Sequence, residues 1–160
     1  MESQRVVVLG VGNLLLRDEG IGVHLARALQ AEPLPKGVEV IDGGTAAWEA
    51  LDFVRATDWL IILDAVRGGG APGTVYRFRP EDVLLREPPM FSLHQLDLWQ
   101  ALQMAELLGR RPREVRILGI EPKEIGWGLD LSEELQRRWP LILERVREEI
   151  EQAQADLSEI

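Results

Sequence analysis

The hydrophobic pattern opens with an apolar β-branched run, Val6-Val7-Val8-Leu9, short enough to be a fully buried parallel strand. Gly10 and Gly12 follow, where the backbone can turn sharply without a side chain in the way. From Ile21 the apolar positions Ile21, Leu25, Ala28 and Leu29 fall at helical spacing, which predicts a helix starting near Glu19 with Asp18 as its cap. Pro33-Leu34-Pro35-Lys36-Gly37 ends that pattern, and Val38 to Ile41 reads as a second strand closed by Asp42-Gly43-Gly44-Thr45. A second helix is expected with Thr45 as its cap and Ala47, Leu51 and Val54 on one face. Trp59 to Leu63 is the third strand, closed by Asp64, and Arg67 to Gly73 forms a loose glycine-rich loop. Thr74 to Phe78 is more polar and suits an edge; its short link to the third strand favours an antiparallel arrangement.

Residues 81–90 show no regular pattern, and Ser92 with Gln95 fits a capping box for a third helix. That helix carries Leu98, Ala101, Leu102, Ala105 and Leu108 on one face. Val115 to Ile120 is the last strand, and Ser132 opens a final helical region with Leu135, Trp139, Ile142, Leu143, Val146 and Ile150 in register. Pro140 is expected to kink or split it, and the polar stretch 152–160 to fray. Strands alternating with helices predict a single α/β domain over 1–160, a three-layer sandwich with helices on both faces of a twisted five-stranded sheet. The expected strand order is 2-1-3-5-4, with strand four antiparallel.

A chain of 160 residues is long enough to bury a proper core, and the absence of cysteine excludes disulfides, thiolate metal sites and a cysteine nucleophile. A net charge of −9 argues against tracking nucleic acid, which needs basic patches. No signal-like segment and no apolar run of spanning length is present, so the expectation is a cytoplasmic protein with no membrane partner.

The first turn invites a dinucleotide reading, yet the third glycine of that fingerprint would fall at Leu15, and two carboxylates there would repel a pyrophosphate. In a doubly wound sheet, ligands sit beyond the carboxyl ends of the strands, where the strand order reverses. Glu19 follows strand one, Asp42 ends strand two and Asp64 ends strand three, so all three are expected on that rim. Asp18 is best explained as a cap. Of the two histidines, His24 lies five residues past Glu19, about 140° around the helix, and reads as a surface or packing residue. His94 opens the third helix, where the 81–91 segment can deliver it to the rim. Taken alone, it reads as a polar contact at a helix end. Together Glu19, Asp64 and His94 offer one imidazole and two carboxylates, a donor set for Ni²⁺ or Zn²⁺ with coordination positions left open.

The motifs GVGNLLLRDEGIG at 10–22, DGGT at 42–45, LDA at 63–65, PGTV at 72–75 and SLHQ at 92–95 resemble those of the hydrogenase maturation endopeptidases, in the same order. The resemblance implies an enzyme that removes the C-terminal peptide from the large-subunit precursor of a [NiFe] hydrogenase after nickel insertion. It implies nickel contact for Glu19, Asp64 and His94 and a role in cleavage for Asp42. It also implies that the nickel is contributed by the substrate, with no nucleotide cofactor. Three other readings compete. A peptidyl-tRNA hydrolase-like enzyme shares a G-x-G-N turn, but here Arg17-Asp18-Glu19 stands where its histidine is expected. A receiver-like module would use Asp64 as phosphoacceptor with Lys123, but its acidic pair belongs directly at the end of strand one. A nucleotide-binding module is opposed by Leu15.

Overall fold

A computed structural model describes residues 4–84 and 93–159, with side chains left undescribed at 83, 84 and 93–96. Five strands, β1 (Val6–Val11), β2 (Val38–Gly44), β3 (Trp59–Ala65), β4 (Val75–Phe78) and β5 (Glu114–Ile120), form one sheet in the order β2-β1-β3-β5-β4. β1 is parallel to β2 and β3, β3 is parallel to β5, and β4 runs antiparallel to β5 at the edge. The order and the one reversed strand agree with the expectation from the sequence.

Among the described residues five α-helices accompany the sheet: α1 (Ile21–Gln30), α2 (Ala47–Ala50), α3 (Pro80–Leu84), α4 (Leu93–Leu107) and α5 (Glu133–Ser158). Every residue of β1 is buried, and its alternate side chains feed two separate cores. Val6 and Val8 join Ile61 and Leu63 of β3, Leu25 and Leu29 of α1 and Leu135, Ile142 and Val146 of α5. Val7 and Leu9 join Leu60 and Ile62, Ala47 and Ala50 of α2 and Leu98 and Leu102 of α4. Burying each large aliphatic side chain contributes about 1.5–3 kcal/mol, which is why the two central strands hold the least polar runs in the chain.

Several local expectations are corrected. The second helix is a single turn followed by a 3-10 turn, Leu51–Phe53, and Thr45 makes no capping bond because Ala46 occupies the cap position. Part of the segment read as irregular is helical, as α3. α5 continues unbroken through Pro140, and the segment from Gln152 does not fray, because Ala153 and Leu157 are buried against the first core. The glycine-rich loop at 67–73 is not loose. The Glu121 carboxylate accepts bonds from the Gly68 and Gly70 amides at 2.8 and 3.1 Å and from the Tyr76 hydroxyl at 2.7 Å. Ser92 and the side chain of Gln95, the expected capping pair, lie outside what is described.

Candidate active site at the carboxyl rim

The rim depends on two glycines. A Cβ on Gly22 would lie 2.1 Å from the Leu63 carbonyl oxygen and 2.4 Å from that of Val11, so only glycine lets α1 start directly over the ends of β1 and β3. Gly12, with φ +143°, would likewise push a Cβ to 2.1 Å from the Glu19 carbonyl oxygen. Both contacts press the 3-10 turn Arg17–Gly20 down onto the strand ends. Glu19 is thereby held, half-buried, at the crest of that turn.

Asp64 is the next residue after Leu63, so it lies beside this turn. It is 5% exposed, and its Oδ1 accepts a bond from the Ala65 amide at 2.8 Å. Strand alternation sends Asp64 to the face opposite Leu63, the face covered by α2 and α4. His94 belongs to the first turn of α4, the helix on that same face. Its side chain lies outside the described residues, and so do residues 85–91 of the 81–91 segment expected to deliver it. Among the described residues no three acidic or histidine side chains are grouped as a metal site, so the expected triad of Glu19, Asp64 and His94 is represented by its two carboxylates.

Asp42 pairs with Gly10, whose other neighbour across the sheet is Leu63. Asp42 and the end of β3 therefore flank β1 at the same level, two strand spacings or about 10 Å apart. β2 runs two residues beyond Asp42, and the register slips between Gly10 and Val11, where Val11 pairs with Gly44. Asp42 turns toward α1, where Arg27 Nε donates to its Oδ2 at 3.0 Å in an ion pair. The pair fixes the direction of the carboxylate.

Asp18 was expected to cap the first helix and does not: Gly20 holds the cap position of α1, with no side-chain capping bond. Asp18 is fully buried instead and binds a segment more than a hundred residues away. Its Oδ2 accepts bonds from the Lys123 and Glu124 amides at 2.8 and 2.9 Å and from the Ser132 hydroxyl at 2.7 Å. Its Oδ1 accepts from the Ser132 amide at 2.7 Å, and Ser132 is also the cap of α5. Burial raises the Asp18 pKa, but the hydrogen bonds from Glu124, Ser132 and Lys123 outweigh it and hold the group below the ordinary aspartate value. The 121–132 loop is thus anchored to the turn that carries Glu19. His24, read as a packing residue, is partly buried beside Asp130, Gln136 and Trp139, and desolvation pushes its pKa down.

The sequence profile of the hydrogenase maturation proteases matches residues 23–149. The chain belongs to the hydrogenase maturation protease family. Among similar curated proteins, the hydrogenase 2 maturation protease of Escherichia coli strain K12 is 39% identical over 144 residues, covering 89% of this chain and 88% of that protein. The hydrogenase expression/formation protein HupD of Thiocapsa roseopersicina is 38% identical over 151 residues, and the match spans 92% of this chain but only 65% of the relative. The solved hydrogenase maturating endopeptidase HybD from E. coli superimposes with a TM-score of 0.77 at 37% identity, covering 89% of each chain. The strand order and flanking helices derived above are those of a family of endopeptidases, so the fold and the family expected from the motifs both stand. Among the described residues no helix is long and apolar enough to cross a membrane.

Proposed function

We propose that this protein cuts the C-terminal peptide from the large-subunit precursor of a [NiFe] hydrogenase and recognises the nickel already inserted in that precursor. The observation that supports this reading most directly is the position of Glu19, on a turn pressed against the strand end that leads into Asp64. Two carboxylates, with the imidazole of His94, give three hard or borderline ligands and no thiolate. Such a set binds a free divalent ion only modestly, and cysteine thiolates around nickel in the precursor complete its coordination. The ion is the substrate's own, shared during docking, and it registers the tail for the cut.

Asp42 stands across β1 from this pair. In this reading its carboxylate positions and deprotonates the water that attacks the scissile carbonyl, and the proton then passes to the leaving amine. Arg27 aims that carboxylate, while nickel serves recognition. The partner is the precursor, with neither nucleic acid nor membrane involved.

The test uses metal-stripped protein with nickel-loaded or nickel-free precursor, following the mass of the large subunit. Trimming of the loaded form alone is expected. Equal trimming of both forms, or a strict need for zinc added to the protease, refutes the reading. Asp42→Asn is expected to bind loaded precursor and cut it very slowly; loss of binding assigns Asp42 to docking instead.

A further inference from the structure

Beside Glu19 the surface carries three apolar side chains that the fold leaves outside: Leu15 at 52% exposure, Trp127 at 81% and Leu129 at 66%. They come from two segments far apart in sequence and joined by backbone bonds. The Gly128 amide donates to the Leu15 carbonyl at 2.9 Å, and the Arg17 amide donates to the Gly128 carbonyl at 3.0 Å. Leu16 and Gly128 thus form a parallel bridge, which brings the backbone of Leu15 alongside that of Trp127, with Leu129 the next residue but one. The segment is rigidly held. Asp18 ties down Lys123, Glu124 and Ser132, and Arg17 pairs with Glu124 and donates to the Asp130 carbonyl at 3.3 Å.

A tryptophan and two leucines grouped on an anchored loop, bordered by an ion pair, have the make-up of a binding hot spot with a polar rim. Two properties identify the occupant. The patch continues directly into the turn that presents Glu19, only four residues after Leu15. A second copy is disfavoured, since each chain carries −9 and like charge opposes self-association. We infer that Leu15, Trp127 and Leu129 seat an apolar segment of the hydrogenase precursor next to its metal-bearing tail, an inference that rests on the function proposed above. The seat supplies ground-state binding away from the reacting bond, and its rigidity lowers the entropy lost on docking.

The experiment measures trimming of nickel-loaded precursor by the wild-type chain, by the double variant Trp127→Ala/Leu129→Ala and by Leu141→Ala, an exposed apolar residue on α5. All three side chains are exposed, and circular dichroism and thermal melting confirm that each variant folds. In the double variant KM should rise about tenfold or more, with kcat within about twofold of wild type. Leu141→Ala should keep both constants. Unchanged KM in the double variant overturns the seat while leaving the proposed trimming intact, and so does a fall in kcat alone. A wild-type chain that trims no loaded precursor removes the function and the seat together. Sedimentation showing a wild-type dimer that the double variant loses, with KM unchanged, assigns the patch to a second copy and overturns the inference.

Discussion

Each end of the sheet holds an aspartate with no solvent exposure, and the two are satisfied in different ways. At the amino end, Asp58 lies between two guanidinium groups. Arg5 Nε donates to both of its oxygens at 3.0 and 3.1 Å, and Arg55 adds its amide at 2.7 Å and an ion pair at 3.5 Å. At the carboxyl end, Asp18 receives three backbone amides and one hydroxyl, all neutral donors. Both arrangements fasten a loop to the sheet, but only the first cancels its charge. The carboxyl rim keeps the negative charge of Asp18 beside Glu19, on the turn to which the proposed function assigns contact with the substrate's nickel. A structural anchor can thus also set the local potential.

The largest effect is expected from breaking the amino-end group. Asp58→Ala leaves Arg5 and Arg55 without their shared partner, and losing one member of a buried pair costs about 3–5 kcal/mol. Arg5 is partly exposed, which places the loss near the lower bound. Urea denaturation should show this fall, with trimming per folded molecule unchanged. An equal fall in specific trimming would mean that the amino end also acts on the site and would erase the contrast.

Asp18→Asn should come next. The amide keeps the size of aspartate, but either of its orientations turns an NH2 toward a backbone amide that needs an acceptor. Leaving buried donors unsatisfied costs about 1–3 kcal/mol. Hydrogen exchange at Lys123, Glu124 and Ser132 should rise while β1 and β3 remain protected. Here trimming should fall together with stability, because the same loop carries Trp127 and Leu129. Stability lost with trimming intact would make Asp18 an anchor and nothing more.

The sequence was informative wherever local pattern and burial agreed. β1 and β3 stood out because strands covered on both faces carry unbroken apolar runs, and their order followed from the alternation of strands and helices. Glu19 and Asp64 could be placed on the rim because each directly follows a strand or its turn. Asp18 was misread for a definite physical reason: its partners lie 105 to 114 residues away, and nothing near it in sequence announces them. Glu121 was hidden likewise, its loop partners standing 51 and 53 residues off. The end of α5 is polar in composition, yet Ala153 and Leu157 are spaced to continue the buried face of Ile142, Val146 and Ile150. Asp42 was expected simply at the end of its strand, and its turn toward Arg27 depends on α1 lying over that face.

Acid titration sharpens the contrast further. The pKa of Asp18 is lowered in the folded state, so its stabilisation is fully present above the ordinary aspartate value of 3.8 and is lost as pH falls through the folded value. The chain should therefore lose stability below about pH 4, as the unfolded state takes up a proton that folded Asp18 resists. Asp18→Asn should be less stable at neutral pH, and its curve should be flatter through that acid range. An acid limb of unchanged steepness would show that other carboxylates control it.

The smallest effect belongs to His24, whose Nε2 is buried and has no hydrogen-bond partner among the described residues. Desolvation is the main cause of its lowered pKa, and the nearby Arg27 charge adds to it. Asp130, Asp18 and the bond to the Leu129 backbone oppose the shift without reversing it. A histidine with a depressed folded pKa resists protonation in the native state while the unfolded chain protonates near 6.5. Stability is therefore highest above that value and declines as pH falls through 6.5 toward the folded pKa. The decline should be shallow, because the ring is only partly buried. His24→Gln should remove the slope between pH 7 and 5 and leave trimming of loaded precursor unchanged, since the proposed reaction gives this residue no part. Urea midpoints at closely spaced pH values check the first expectation and a trimming assay the second. A variant that folds but no longer trims would place the working histidine on α1 and remove the case for His94.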